Sequence, residues 1–133
     1  MRSPLVLAPT LFALSAVAAH AAGDHIGRTA LVVDTGTEAQ QAFAPDTPKI
    51  VLHVELKDPT VGAKIEGAWI AVKTDAAPAD YKIDTATVTV DNDQDEATFG
   101  LSKPNAGWPT GTYQVEIRYE GNLEKTVPFT VTK

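Results

Sequence analysis

The 133-residue chain contains no cysteine, which excludes disulfides, a thiol nucleophile and thiolate metal ligands. Serine is almost missing too. Beyond residue 21 only Ser102 remains, and no Gly-x-Ser-x-Gly elbow surrounds it, so nucleophilic catalysis has little to work with. Basic side chains are outnumbered, 11 Lys and Arg against 17 Asp and Glu, a balance that opposes binding to a phosphate backbone. Past the N-terminus no run approaches the roughly 18 apolar residues of a membrane helix. No long stretch repeats its apolar residues every 3.6 positions either, so helices are not expected to carry the fold.

What the chain does have begins with a secretion-signal pattern over residues 1–21. Arg2 supplies positive charge, Leu5 to Ala18 an apolar stretch, and Ala19-His20-Ala21 a small-x-small cleavage site, with Ala16-Val17-Ala18 a nearly equivalent one. Cleavage after Ala21 leaves 112 residues, enough for one domain with a sizeable core. Taking Arg2 from the basic count leaves 10 against 17 acidic groups, a formal charge of −7. With no cysteine to carry a lipid anchor, the expected destination is the periplasm or the medium. Residues 22–28 read as a flexible mature N-terminus and residues 29–133 as the folded domain.

Seven segments show strand patterning between Gly, Pro, Asp and Asn clusters, which predicts an all-β domain. The first is Thr29 to Asp34, followed by a polar run to Pro45 that could hold one helical turn. Lys49 to Lys57 alternates cleanly, with Ile50, Leu52, Val54 and Leu56 on one face and His53 on the other. In the third, Ala63 to Lys73, the faces disagree: Ile65 and Trp69 oppose Ala68, Ile70 and Val72. Either a bulge near Gly67 re-phases this strand or both of its faces are covered. Tyr81 to Val90 is rich in Thr and Val, and a short strand carries Ala97, Phe99 and Leu101 in phase. The last two strands place Tyr113, Val115, Ile117 and Tyr119, then Val127, Phe129 and Val131, on their inner faces. Burying both odd-numbered sets requires paired residue numbers with an even sum. A plain Gly121-Asn122 turn gives an odd one, so a three-residue loop, Gly121 to Leu123, or a neighbouring bulge is expected. Pro128 lacks an amide donor, which puts its strand near an edge or turns that position outward.

Trp69 on the third strand, Pro109-Thr110-Gly111-Thr112-Tyr113 leading into the sixth, and Val115 two residues on, with Leu52 as its expected counterpart, together resemble immunoglobulin and fibronectin type III domains. There the tyrosine closes a corner and a core tryptophan packs between the sheets. The resemblance implies a seven-stranded antiparallel immunoglobulin-like β-sandwich. Trp108 to Val131 also resembles the closing hairpin of bacterial secreted immunoglobulin-like domains and the end of the periplasmic CopC-like copper-binding proteins. The CopC-like family uses an N-terminal histidine with an Asp and a His between the last two strands, and the loop Glu120-Gly121-Asn122-Leu123 has no His.

Candidate sites are few. His25 would complete an amino-terminal copper chelate if cleavage fell after Ala22, because that chelate needs histidine third. Asp91, Asp93 and Asp95 have the spacing that holds hard cations, but Glu96 and Ser102 stand where a calcium loop of the EF-hand type needs Gly and Glu. A glycosidase carboxylate pair is open on residue counts, without an aromatic groove to accompany it. Trp108, between Gly107 and Pro109, either plugs an end of the core or anchors a partner. Ile70 and Val72 are either buried by a bulge or form an apolar partner surface or strand-addition edge. The expectation is a non-enzymatic, exported binding or accessory module that needs no cofactor. It would recognise a protein partner through Ile70, Val72 and Trp108. The alternative is copper or calcium handling.

Overall fold

The computed structural model describes residues 25–34 and 36–133. The expected signal peptide and residues 22–24 lie outside them. Among the described residues eight strands follow one another: β1 (Ile26–Val33), β2 (Ala42–Phe43), β3 (Lys49–Leu56), β4 (Lys64–Thr74), β5 (Tyr81–Thr89), β6 (Glu96–Ser102), β7 (Gly111–Tyr119) and β8 (Asn122–Val131). They form two sheets, ordered β1-β3-β6 and β2-β8-β7-β4-β5. The domain is all-β as expected, but the count is eight and the larger sheet is mixed. The extra strand is β2, two residues long and parallel to β8. It takes the place of the possible helical turn, because Gln41 and Phe43 offer their carbonyls to the amides of Thr130 and Thr132 at 2.9 and 3.0 Å. The first strand also starts earlier than expected. Ile26, pairing with Leu56, is buried in the core at 6% exposure, so residues 26–28 belong to the sheet and not to a flexible N-terminus.

Alternation explains how the two sheets share one interior. Cross-strand rows on the smaller sheet run Val33, Ile50, Leu101 and then Leu31, Leu52, Phe99. On the larger sheet they run Ala71, Tyr113, Phe129 and then Trp69, Val115, Val127. All of these join the same hydrophobic cluster. Side chains paired across a ladder point the same way, so each row presents a continuous apolar strip to the opposite sheet. Phe129 is the hub. Tyr113 stacks on it at 5.0 Å, while Phe43 and Trp69 meet its ring edge-on at 5.8 and 6.0 Å.

The two disagreeing faces of β4 are both covered, and no bulge lies at Gly67. β4 sits between β5 and β7, with Ile65, Trp69 and Ala71 inward and Ala68 and Ile70 outward. Its irregularities fall later, between Trp69 and Ile70 against β5 and between Ala71 and Lys73 against β7. Gly67 has a different purpose. A Cβ there would lie 2.8 Å from the Phe99 ring, so the missing side chain is what lets β6 approach β4.

Ahead of β7 the chain closes a corner: the Tyr113 hydroxyl donates to the Pro109 carbonyl at 2.5 Å. Burial raises the pKa of that phenol from 10.0 to about 12. The folded state therefore keeps a proton that the unfolded chain releases. Its contribution to stability is complete below pH 10 and is lost as pH climbs to about 12, amounting to about 2 to 3 kcal/mol. Urea titrations across that range should show the decline in the wild type and a shallower one in Tyr113→Phe. Gly67→Ala should cost about 1 to 3 kcal/mol in the same assay, and Phe99→Leu beside it should recover part of the loss.

Candidate functional site

The β7–β8 hairpin turns on Glu120-Gly121, whose φ values of 51° and 87° are those of a type I′ turn. Tyr119 pairs with Asn122 and Arg118 with Leu123, both odd sums, but Ile117 pairs with Lys125. Glu124 is thus a surplus residue, the bulge that the parity of the buried faces demands. Bulges re-aim side chains. The Glu124 side chain is only 3% exposed, and its carboxylate holds His25 at both ends. One oxygen accepts the His25 amide at 3.0 Å and the other lies 3.0 Å from Nδ1. The imidazole stacks flat on Tyr119, with ring centres 3.8 Å apart, and the Tyr119 hydroxyl accepts the Thr60 amide at 3.0 Å. Beside this clamp is an open pocket of about 360 Å³ lined by Val61, Gly62 and Glu120 among others.

This arrangement ties the residue ahead of β1 to the bulge of β8. It also uses the two His25 atoms that an amino-terminal copper chelate would need, Nδ1 and the main-chain nitrogen. Among the described residues, no three His, Asp or Glu side chains converge in a way that could hold a metal ion. Asp91, Asp93 and Asp95 are exposed on a turn organised by Gln94, which accepts the Asp91 amide at 2.8 Å and donates to the Glu96 carbonyl at 2.9 Å. A second charged group lies on the open face of the smaller sheet. There His53 Nδ1 is 3.1 Å from Glu96 and Arg28 is 4.0 Å from Glu55. Exposed pairs of this kind contribute little to stability.

The residues expected to meet a partner are not assembled into one surface. Trp108 plugs the core. It is 2% exposed, its indole donates to the Thr47 carbonyl at 2.8 Å, and it meets Tyr113 edge-on, which leaves no face for a partner. Ile70 lies on the outer face of the larger sheet yet is 7% exposed. It stands opposite Gln114, next to a chain of polar side chains in which Gln114 and Arg118 donate to Glu116 at 3.1 and 3.0 Å. Val72 is half-buried at the bulge against β7. Since β4 is an interior strand, neither residue sits on a strand-addition edge.

The free edge of the larger sheet is β5, which periodicity alone could not identify. Val90 exchanges main-chain bonds with Ala63 and Gly62, so by alternation Thr85, Thr87 and Thr89 direct their main-chain groups away from β4. β5 is also the most exposed of the long strands.

No protein-family model matches this chain, and no curated protein sequence does. Among solved structures it is similar to a β-glucosidase from Listeria innocua in complex with gluconolactone, at 9% identity and a TM-score of 0.46. That similarity covers 80% of this chain and 16% of the glucosidase. Among the described residues, no helix is long and apolar enough to cross a membrane.

Glu124→Ala should destabilise the domain by about 1 to 3 kcal/mol, since it strands the His25 donors. Combined with His25→Ala in a double-mutant cycle, the pair should show a coupling of at least about 0.5 kcal/mol. Purely additive losses in urea unfolding would mean that the clamp contributes nothing.

Proposed function

We propose that the chain is an exported, non-enzymatic recognition module of immunoglobulin-like architecture, and that it recognises an extended polypeptide by adding it as a strand to β5. The architectural part is supported by Trp69 in the core, the Tyr113 corner and the three-plus-four order of the long strands. The non-enzymatic part is supported by the placement of the reactive side chains. Ser102 ends β6 opposite Lys49, and His25 and His53 are engaged by Glu124 and Glu96.

One observation carries the recognition reading: the guards on the sheet edges are unevenly distributed. Exposed edges invite pairing and are normally blunted by bulges, proline, charge or cover. β1 is bulged between Ile26 and Thr29 and covered where Gln40 donates to the Leu31 carbonyl at 2.8 Å. β8 has Pro128 and is capped by β2. β6 is guarded only at its ends, by Glu96 and by Lys103-Pro104 beyond Ser102. In β5 the first half is guarded by the bulge at Ile83, by Lys82 and by Asp84, whose carboxylate accepts the Thr85 amide at 2.9 Å. Its second half, Thr85-Ala86-Thr87-Val88-Thr89, has no charge, no proline and no bulge.

Extended peptides selected from a random library should bind with amide shifts confined to Thr85–Thr89 and the facing part of β4. Thr87→Pro should weaken them at least about tenfold. That substitution removes an outward amide which β4 does not use, so the melting temperature should stay near that of the wild type. Peptides mapping elsewhere, or indifferent to Thr87→Pro, would sink the reading.

A further inference from the structure

We infer that the polypeptide added to β5 is a cationic one: a short neutral stretch, apolar at every second position, with lysine or arginine at both ends. This deepens the reading of β5 as the recognition edge and rests on it. The main chain fixes where such a strand can bond. By alternation Thr85, Thr87 and Thr89 turn their main-chain groups outward, and of these the Thr85 amide is already taken by the Asp84 carboxylate at 2.9 Å. Thr87, Thr89 and the Thr85 carbonyl are left. An antiparallel neighbour centred on Thr87 meets all of them.

The side chains around that stretch define the rest of the partner. Ala86 and Val88 stand opposite Gly67 and Ile65 on the inward side of the sheet, yet Ala86 is exposed and Val88 only half-buried. The partner residues on either side of its centre lie beside them, so burial there favours apolar side chains. Charge sets the ends. Asp80 and Asp84 lie before the open stretch, and Asp91, Asp93 and Asp95 follow it. All five are exposed, and among the described residues none of them enters an ion pair. β5 and the facing part of β4 supply two lysines, Lys82 and Lys64, and a further carboxylate, Glu66, opposite Thr87. The edge is therefore acidic on balance and acidic at both ends, which repels a second β5 and selects positive charge. In an antiparallel partner the residue four positions before the centre comes level with Asp91, and the residue three positions after it comes level with Asp84.

The probe is an end-blocked peptide, Arg-Lys-Thr-Val-Thr-Val-Thr-Lys-Arg, titrated into the chain from residue 22 onward and followed by amide shifts. A second peptide carries glutamine at the four basic positions, and a third carries glutamate there. The basic peptide should bind at least about tenfold more tightly than the glutamine one, and the glutamate one most weakly. Raising salt from about 50 mM to about 500 mM should remove most of that difference. Asp91→Asn combined with Asp93→Asn should weaken the basic peptide at least about threefold and leave the glutamine peptide unchanged. Melting temperatures, measured alongside, identify any variant whose fold has failed. A glutamine or glutamate peptide that binds as tightly as the basic one, with binding lost in Thr87→Pro, overturns the choice of partner and leaves β5 as the recognition edge. A basic peptide whose binding survives Thr87→Pro, or whose shifts fall outside Thr85–Thr89 and the facing part of β4, is held by charge alone and overturns both readings. If no peptide binds, both fall together.

Discussion

One surplus residue in the last hairpin reconciles two demands that the chain cannot otherwise meet. Tyr113, Val115 and Ile117 must share an interior with Val127, Phe129 and Val131, because strands of one sheet bury the same face. The turn that glycine favours at Glu120-Gly121 brings the two strands back in the wrong phase. Glu124, paired with nothing, shifts the phase by one. The Phe129 hub, the Tyr113 corner and the enclosure of Trp69 all rest on that shift.

The same residue links the core to the periphery. A side chain displaced from the ladder has no place in the alternation of its strand, and that of Glu124 is turned out of solvent towards His25. An unpaired carboxylate there would be costly, so the two hydrogen bonds from His25 and the flat stacking on Tyr119 are what make the position tolerable. The consequence reaches β1, whose start is held against the hairpin. A chemical group that resembles the beginning of an active or metal site is, on this geometry, a fastening between the two sheets.

Edges are where such a small two-sheet domain interacts with its surroundings. Among the described residues, the outer edges at β1 and β8 carry devices against pairing, and those devices are of different physical kinds: a missing amide, bulges and covering segments. Their absence from Thr85–Thr89 stands out against that background. The outer face of β4 is by contrast covered at Ala68 and Ile70. Ile70 is buried behind its neighbours, although its sequence context, facing Gln114, Glu116 and Arg118, pointed to an exposed apolar strip.

By itself the sequence determined the class of structure and most of the interior. Strict alternation at Lys49–Leu56 and Gly111–Tyr119 allows one buried face each, the corner tyrosine needs only a carbonyl four residues back, and the parity of two apolar sets demands a bulge whatever surrounds it. These are local constraints, or constraints between neighbouring strands. The tertiary structure alone decided the rest. Residues 26–28 became a strand because Leu56 was there to pair with Ile26, and β2 exists because Thr130 and Thr132 have amides to satisfy. Trp108 went inside because a carbonyl at Thr47 could take its indole N–H. Glu124 met His25 across 99 positions of sequence, and β5 became an edge through the order of strands. No periodicity records such facts, because they depend on what lies alongside a residue in space and not on its own pattern.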